Sequence, residues 1–142
     1  METSTDIKIR AYEAKDYITL RTWWIEHDSE RMHEEMIPPS SVIVEDASGL
    51  AAFAAVYLSN SNHVAFCHGL VTRPGMNLGD SLMIQEALQD GIDIIMQQGG
   101  HRLLLGTVTG PAMVRGAKRI GFHILGKPAR HIARIVKPQT KQ

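Results

Sequence analysis

The chain has a single cysteine in 142 residues. A lone Cys67 excludes an internal disulfide framework and fits a reducing compartment, so a cytoplasmic location is expected. No apolar run approaches the about 18 residues that a membrane-spanning helix requires. The opening Met1-Glu2-Thr3-Ser4-Thr5-Asp6 lacks the basic start of a secretory signal. Aromatic residues make up only 6%, and the basic tail from Lys127 to Lys137 has none interleaved with it as single-strand nucleic-acid readers do. His27 and His33 stand off the spacing of a metal pair on one helix face, and one cysteine adds little, so no metal site is expected. Internal repeats and low-complexity segments are also missing.

Acidic residues are absent from the last part of the chain. His101 to Gln142 holds nine of the 15 Lys and Arg and no Asp or Glu. The formal net charge of zero therefore hides an acidic first hundred residues and a basic remainder. Such a separation either neutralises itself on folding or draws anions to one end and cations to the other. The basic run Lys127, Arg130, His131, Arg134 and Lys137 raises the question of nucleic acid, but no nucleic-acid module accompanies it, and none is expected to bind.

What is present is an ordinary globular composition, 44% hydrophobic and 21% charged, in a length that suits one domain over 1–142. Ile7–Arg10 alternates as a first strand. From Glu13 to Trp24, the apolar residues Tyr17, Leu20, Trp23 and Trp24 fall at helical spacing, with the two tryptophans expected to divide between core and surface. His27–Met36 reads as a short charged helix, ended by Pro38-Pro39. Ser41–Asp46, Leu50–Leu58 and His63–Thr72 read as a meander with turns at Ser48-Gly49 and Ser59–Asn62. Asn77 to about Gln98 is a long helix with Ile84, Ala87, Leu88, Gly91, Ile92 and Ile95 on one stripe, stopped by Gly99-Gly100. Leu103–Val108 reads as a buried central strand. Pro111 opens a helix to Arg119. Phe122–Leu125 and Ile132–Val136 read as a closing strand pair. This order predicts an α/β (α+β) fold, a mixed central sheet with helices on both faces.

The strand–loop–helix step at Thr72–Ser81 carries the chemistry. Gly79 falls in the first turn of the long helix, where unpaired N–H groups and the positive dipole end favour an anion. The run Met76-Asn77-Leu78-Gly79-Asp80-Ser81 resembles the phosphate loop of the GNAT N-acetyltransferase superfamily, with Gly79 on its central glycine. Arg119-Ile120-Gly121-Phe122 resembles the end of that family's fourth helix. Met76 stands where the family has Arg or Gln, Ser81 where it has Gly or Ala, and Ala117 where a general-acid tyrosine often lies. The resemblance implies an acyl-CoA N-acyltransferase fold and acetyl-CoA as cosubstrate. It implies cofactor contacts from the Leu70, Val71 and Thr72 backbone, from Asn77, Gly79, Asp80 and Ser81, and from Arg115. The acceptor it implies is an amine on a protein or small molecule, with a homodimer left open. A catalytically inactive module with a binding or structural role is the alternative.

Two histidines are candidate bases. Imidazole is the side-chain type suited to proton transfer near neutral pH, but the odd separation of His63 and His68 puts them on opposite faces of a regular strand unless a bulge near Gly69 intervenes. Asn77 and Asp80 also form a variant capping box, which would set the Asp80 carboxylate against a bound diphosphate. Cys67, on an apolar strand, reads as a core residue. Glu26, Asp28, Glu30, Glu34, Glu35, Glu45 and Asp46 form an acidic group suited to a cationic amine, or simply a solvated face.

Overall fold

A computed structural model describes residues 6–29, 31–108, 110–126 and Arg134. The chain divides into two compact units, Met1–Thr107 and Val108–Gln142. The first contains β1 (Lys8–Ala11), α1 (Tyr17–Glu26), β2 (Val42–Asp46), β3 (Gly49–Leu58), β4 (Val64–Thr72), α2 (Leu78–Gln98) and β5 (Leu103–Gly106). Its five strands lie in the order β1-β2-β3-β4-β5. The first four are antiparallel neighbours, and β5 joins β4 in parallel after the α2 crossover. This is the mixed sheet expected from the sequence.

The centre of the sheet, β2 and β3, is buried on both faces, and the alternation of its side chains explains why. Val42, Val44, Ala52, Ala54 and Val56 point one way and pack with Ile84, Leu88 and Ile92 of α2. Ile43, Phe53, Ala55 and Val71 point the other way and pack with Leu20, Trp23 and Trp24 of α1. Strands wetted on neither side read as continuous apolar runs, as Ala51–Val56 does. Gly91 lets α2 lie close on the sheet, since a Cβ there would stand 2.7 Å from Ile9 Cγ2 and 2.8 Å from Val42 Cγ1. Both tryptophans are buried. Neither reaches the surface, because Leu20, Trp23 and Trp24 all face the same cluster.

Three expectations need correction. His27–Met36 is not a helix among its described residues: His27 and Asp28 form a turn, Arg31–His33 have no regular structure, and one 3-10 turn follows at Glu34–Met36. Among the described residues of this stretch only Met32 is buried, so no apolar face repays helix formation. The β5 strand is partly exposed rather than a buried centre, and among the described residues it pairs only with β4. Phe122–Leu125 adopts no strand in the described part of the second unit, which contains α3 (Gly110–Arg119) with Pro111 in its first turn. The Ile132–Val136 strand and all of the basic run except Arg134 lie outside the described residues, as does Glu30.

Two arginines tie the strand ends through ion pairs. Arg10 grips Asp16 through both guanidinium nitrogens at 2.8 and 2.9 Å and reaches Glu45 at 3.2 Å. Arg73 grips Asp46 at 2.6 and 3.0 Å. Burial would raise the Asp16 carboxyl, but hydrogen bonds from Arg10 and the Glu13 N–H outweigh it and hold the group below its ordinary value. The Arg73 hydrogen bonds do the same for Asp46. Carboxyls depressed on folding contribute stability above their unfolded value of 3.8, and it is lost as pH falls through the lower folded values. Acid titration of the urea midpoint is thus expected to show a loss that begins near pH 4. In Asp46→Asn that loss should be shallower, and an identical acid limb would refute the assignment.

Candidate active site

The site begins with an irregularity in β4. Phe53 pairs with Val71 and Ala55 with His68, so Ala54 alone faces Gly69 and Leu70. This is a bulge, and Gly69 supports it with φ +66°, a left-handed conformation that glycine adopts without a Cβ penalty. On its other edge β4 pairs with β5 only from Val64–Leu103 to Cys67–Gly106. It then runs on to Thr72. Gly69–Thr72 therefore present an edge without a neighbouring strand among the described residues, while the β3 side stays joined through Arg73 N–H to the Ala51 carbonyl at 2.9 Å.

The β4–α2 loop leads from this edge to the start of α2. Asn77 is the N-cap: its Oδ1 accepts the Asp80 N–H at 2.8 Å, and its Nδ2 donates to the Asp80 carboxylate at 3.0 Å. The expected capping pair is present and occupies one of the helix-start donors. The N–H groups of Leu78 and Gly79 precede the first helical hydrogen bond, that of Ser81 to Asn77 at 2.9 Å. Packing does not demand glycine at 79, since a Cβ there would meet only Asn77 Oδ1 at an ordinary 3.5 Å. Ser81 turns along the helix and accepts from Gln85 at 2.9 Å. Met76 is a partly buried side chain against the α2-side core, which accounts for an apolar residue at this position.

The electrostatics of this helix start oppose a diphosphate. Beside it lies a shallow cleft of about 160 Å³ whose lining includes Asp6, Asp46 and Asp80. Arg73, the nearest cation in sequence, is engaged by Asp46 and by the Leu50 carbonyl at 2.8 Å. Asp80→Ala is expected to tighten coenzyme A binding roughly fivefold by removing a like charge, with a loss of about 0.5 kcal/mol in helix stability. Titration calorimetry reads the first and urea unfolding the second. Weaker binding would show that Asp80 does not compete for the helix start.

The two histidines lie apart. His63 precedes β4, donates from Nδ1 to the Gly100 carbonyl at 2.9 Å, and accepts on its own carbonyl from Arg102 and Leu103. At about 3.3 Å per strand residue, it stands roughly 25–30 Å from Thr72. The bulge lies beyond both histidines and does not bring them together. His68 sits one residue past the last β4–β5 pair, its Nδ1 3.5 Å from Thr107 Oγ1. Val71 is buried, and Leu70 is exposed. Arg115 is exposed on α3 of the second unit. Cys67 is buried, and burial pushes its thiol up to about 11, which rules out a ready thiolate. Of the acidic group, Glu45 and Asp46 are spent on ion pairs, while Glu26, Asp28, Glu34 and Glu35 are exposed.

Two contacts to β4 were not legible in the sequence. Trp24 Nε1–H donates to the Gly69 carbonyl at 3.3 Å, and His27 Nε2–H donates to the Thr72 carbonyl at 2.8 Å. Each spans 45 positions, and no local pattern announces them.

No family model matches the sequence, and no curated protein does. Solved structures match the fold. N-acetylglutamate synthase from Neisseria gonorrhoeae, complexed with coenzyme A and L-arginine, matches with a TM-score of 0.64 and 17% identity, over 82% of this chain and 27% of that one. Ard1 from Thermoplasma volcanium matches with a TM-score of 0.67 and 16% identity, over 84% of each chain. Diaminobutyrate acetyltransferase EctA from Paenibacillus lautus, complexed with L-2,4-diaminobutyric acid and coenzyme A, matches with a TM-score of 0.59 and 16% identity, over 83% of this chain and 75% of that one. The chain thus has the fold of the GNAT acyltransferases. It spans about a quarter of the length of the synthase.

Proposed function

We propose that the chain is an acetyl-CoA-dependent N-acetyltransferase acting on an amine of a protein or small molecule. The observation that carries this reading is the parting of β4 from β5 after Cys67, which leaves the bulged Gly69–Thr72 edge without a neighbouring strand among the described residues. Coenzyme A, bound in several of the matched structures, has an amide-bearing arm suited to pair with such an edge as a strand does. The Leu78 and Gly79 N–H groups at the α2 start remain as donors for its diphosphate, working against the Asp80 carboxylate beside them.

The acceptor amine, once neutral, attacks the thioester carbonyl carbon. The C–N bond forms, the C–S bond breaks, and the sulfur leaves as a thiolate that takes up a proton. We take His68, one residue past the last β4–β5 pair, as the group that accepts the amine proton directly or through a water; His63 lies five residues back along the chain, about 16 Å away at about 3.3 Å per strand residue. Backbone donors around Leu70 would stabilise the oxyanion. The exposed carboxylates of Glu26, Asp28, Glu34 and Glu35 favour a cationic acceptor.

A second reading has its own support. The Asn77–Asp80 pair fills part of the helix start, and Ala117 offers no general acid, as in a module that binds partners without turnover. Thermal unfolding with acetyl-CoA separates the two. Ligand at about 100 times Kd adds about 2.7 kcal/mol to stability, so a clear upward shift supports the enzyme. No shift at millimolar acetyl-CoA leaves the non-catalytic module. Mass spectrometry of acetylated polyamine or lysine peptide then tests turnover.

A further inference from the structure

The last turn of α1 does more than cover the sheet. Trp24 is almost fully buried, yet its indole N–H leaves the apolar cluster to reach the Gly69 carbonyl at the bulge. Met32 packs against the same glycine. One turn further on, exposed His27 donates to the Thr72 carbonyl. No peptide bond among the described residues is cis, so each carbonyl there points opposite to the next residue's N–H. Arg73 N–H points to β3, where it meets Ala51. The Thr72 carbonyl therefore points away from β3, toward the edge that β5 leaves uncovered, and His27 holds it there. By the same rule, the Gly69 carbonyl held against α1 turns the Leu70 N–H away from α1.

We propose that Trp24 and His27 form a two-point clamp that positions the uncovered half of β4 for its ligand. The clamp fixes two peptide planes, at Gly69–Leu70 and Thr72–Arg73, and so sets which backbone donors and acceptors the ligand meets. It rests on the acetyl-CoA reading only for the identity of that ligand. Both are positioning residues, since they act through the β4 backbone.

The test uses three variants of the full chain. Trp24→Phe keeps an aromatic ring and removes the N–H. His27→Leu removes the second donor, and His27→Gln keeps an N–H at similar reach. Coenzyme A binding is measured by titration calorimetry, and amide exchange in the free protein by NMR. A hydrogen bond of ordinary strength predicts that Trp24→Phe and His27→Leu each weaken binding roughly fivefold, with His27→Gln within about twofold of the parent. Exchange at Leu70 and Arg73 should quicken, while the middle of α2 is unchanged. Parental affinity in both Trp24→Phe and His27→Leu would overturn the clamp, as would His27→Gln binding no better than His27→Leu. If the parent protein does not bind coenzyme A, the acetyl-CoA reading fails by itself. The clamp is then judged on exchange: quickening confined to the Gly69–Arg73 stretch sustains it, and unchanged or uniformly raised exchange overturns it.

Discussion

Gly69→Val is expected to cost the 1–107 unit about 4 kcal/mol, a large part of what a small domain has to lose. About 1–2 kcal/mol comes from forcing a β-branched residue into the left-handed region where Gly69 lies. About 1–3 kcal/mol more comes from overpacking, because any Cβ at 69 would run into the Met32 thioether. The alternative to paying both is to flatten the bulge. That would change the register by one residue and turn His68 to the other face. Either outcome should remove coenzyme A binding. Urea unfolding reads the first effect and titration calorimetry the second. A valine variant with parental midpoint and parental affinity would mean that neither the bulge nor its packing matters.

Phe53→Ala is the second large effect. Phe53 is fully buried at the centre of β3, with Tyr12 and Trp24 set edge-on to its ring at 5.7 and 5.8 Å. Truncation removes the ring's burial and leaves a cavity that the paired strands on either side cannot close, at a cost of about 3–5 kcal/mol. The loss also frees Trp24, whose indole reaches β4. Phe53→Leu, which retains most of the volume, should recover more than half of the lost stability. A loss below about 1 kcal/mol in Phe53→Ala would indicate that the α1 side of the sheet is loosely packed.

The sheet was legible in the sequence because its signals are local. Val42-Ile43-Val44 and Ala51–Val56 are apolar runs of strand length between turns. The α2 stripe from Ile84 to Ile92 repeats at helical spacing, and Asn77 and Asp80 stand at capping distance. The bulge at Gly69 was legible as one glycine in a strand. What was missed depends on distant partners. His27–Met36 contains charges that suit a helix, but Met32, the one buried side chain among its described residues, is held by packing on Gly69, and a contact of that range leaves no periodicity. The parting of β4 from β5 likewise lies in the strand lengths, four residues of β5 against nine of β4. The His27 and Trp24 contacts depend on the direction of two carbonyls, which no side-chain pattern encodes.

Cys67 has a practical consequence. It is the chain's only thiol, and it lies sealed beneath the sheet beside Gly106. Maleimide reagents, which react with the thiolate, will pass it by in the folded protein. A cysteine introduced at an exposed position such as Leu78 would then be the sole labelling point, so a fluorophore at the mouth of the proposed cleft can report ligand arrival without first engineering the native thiol away.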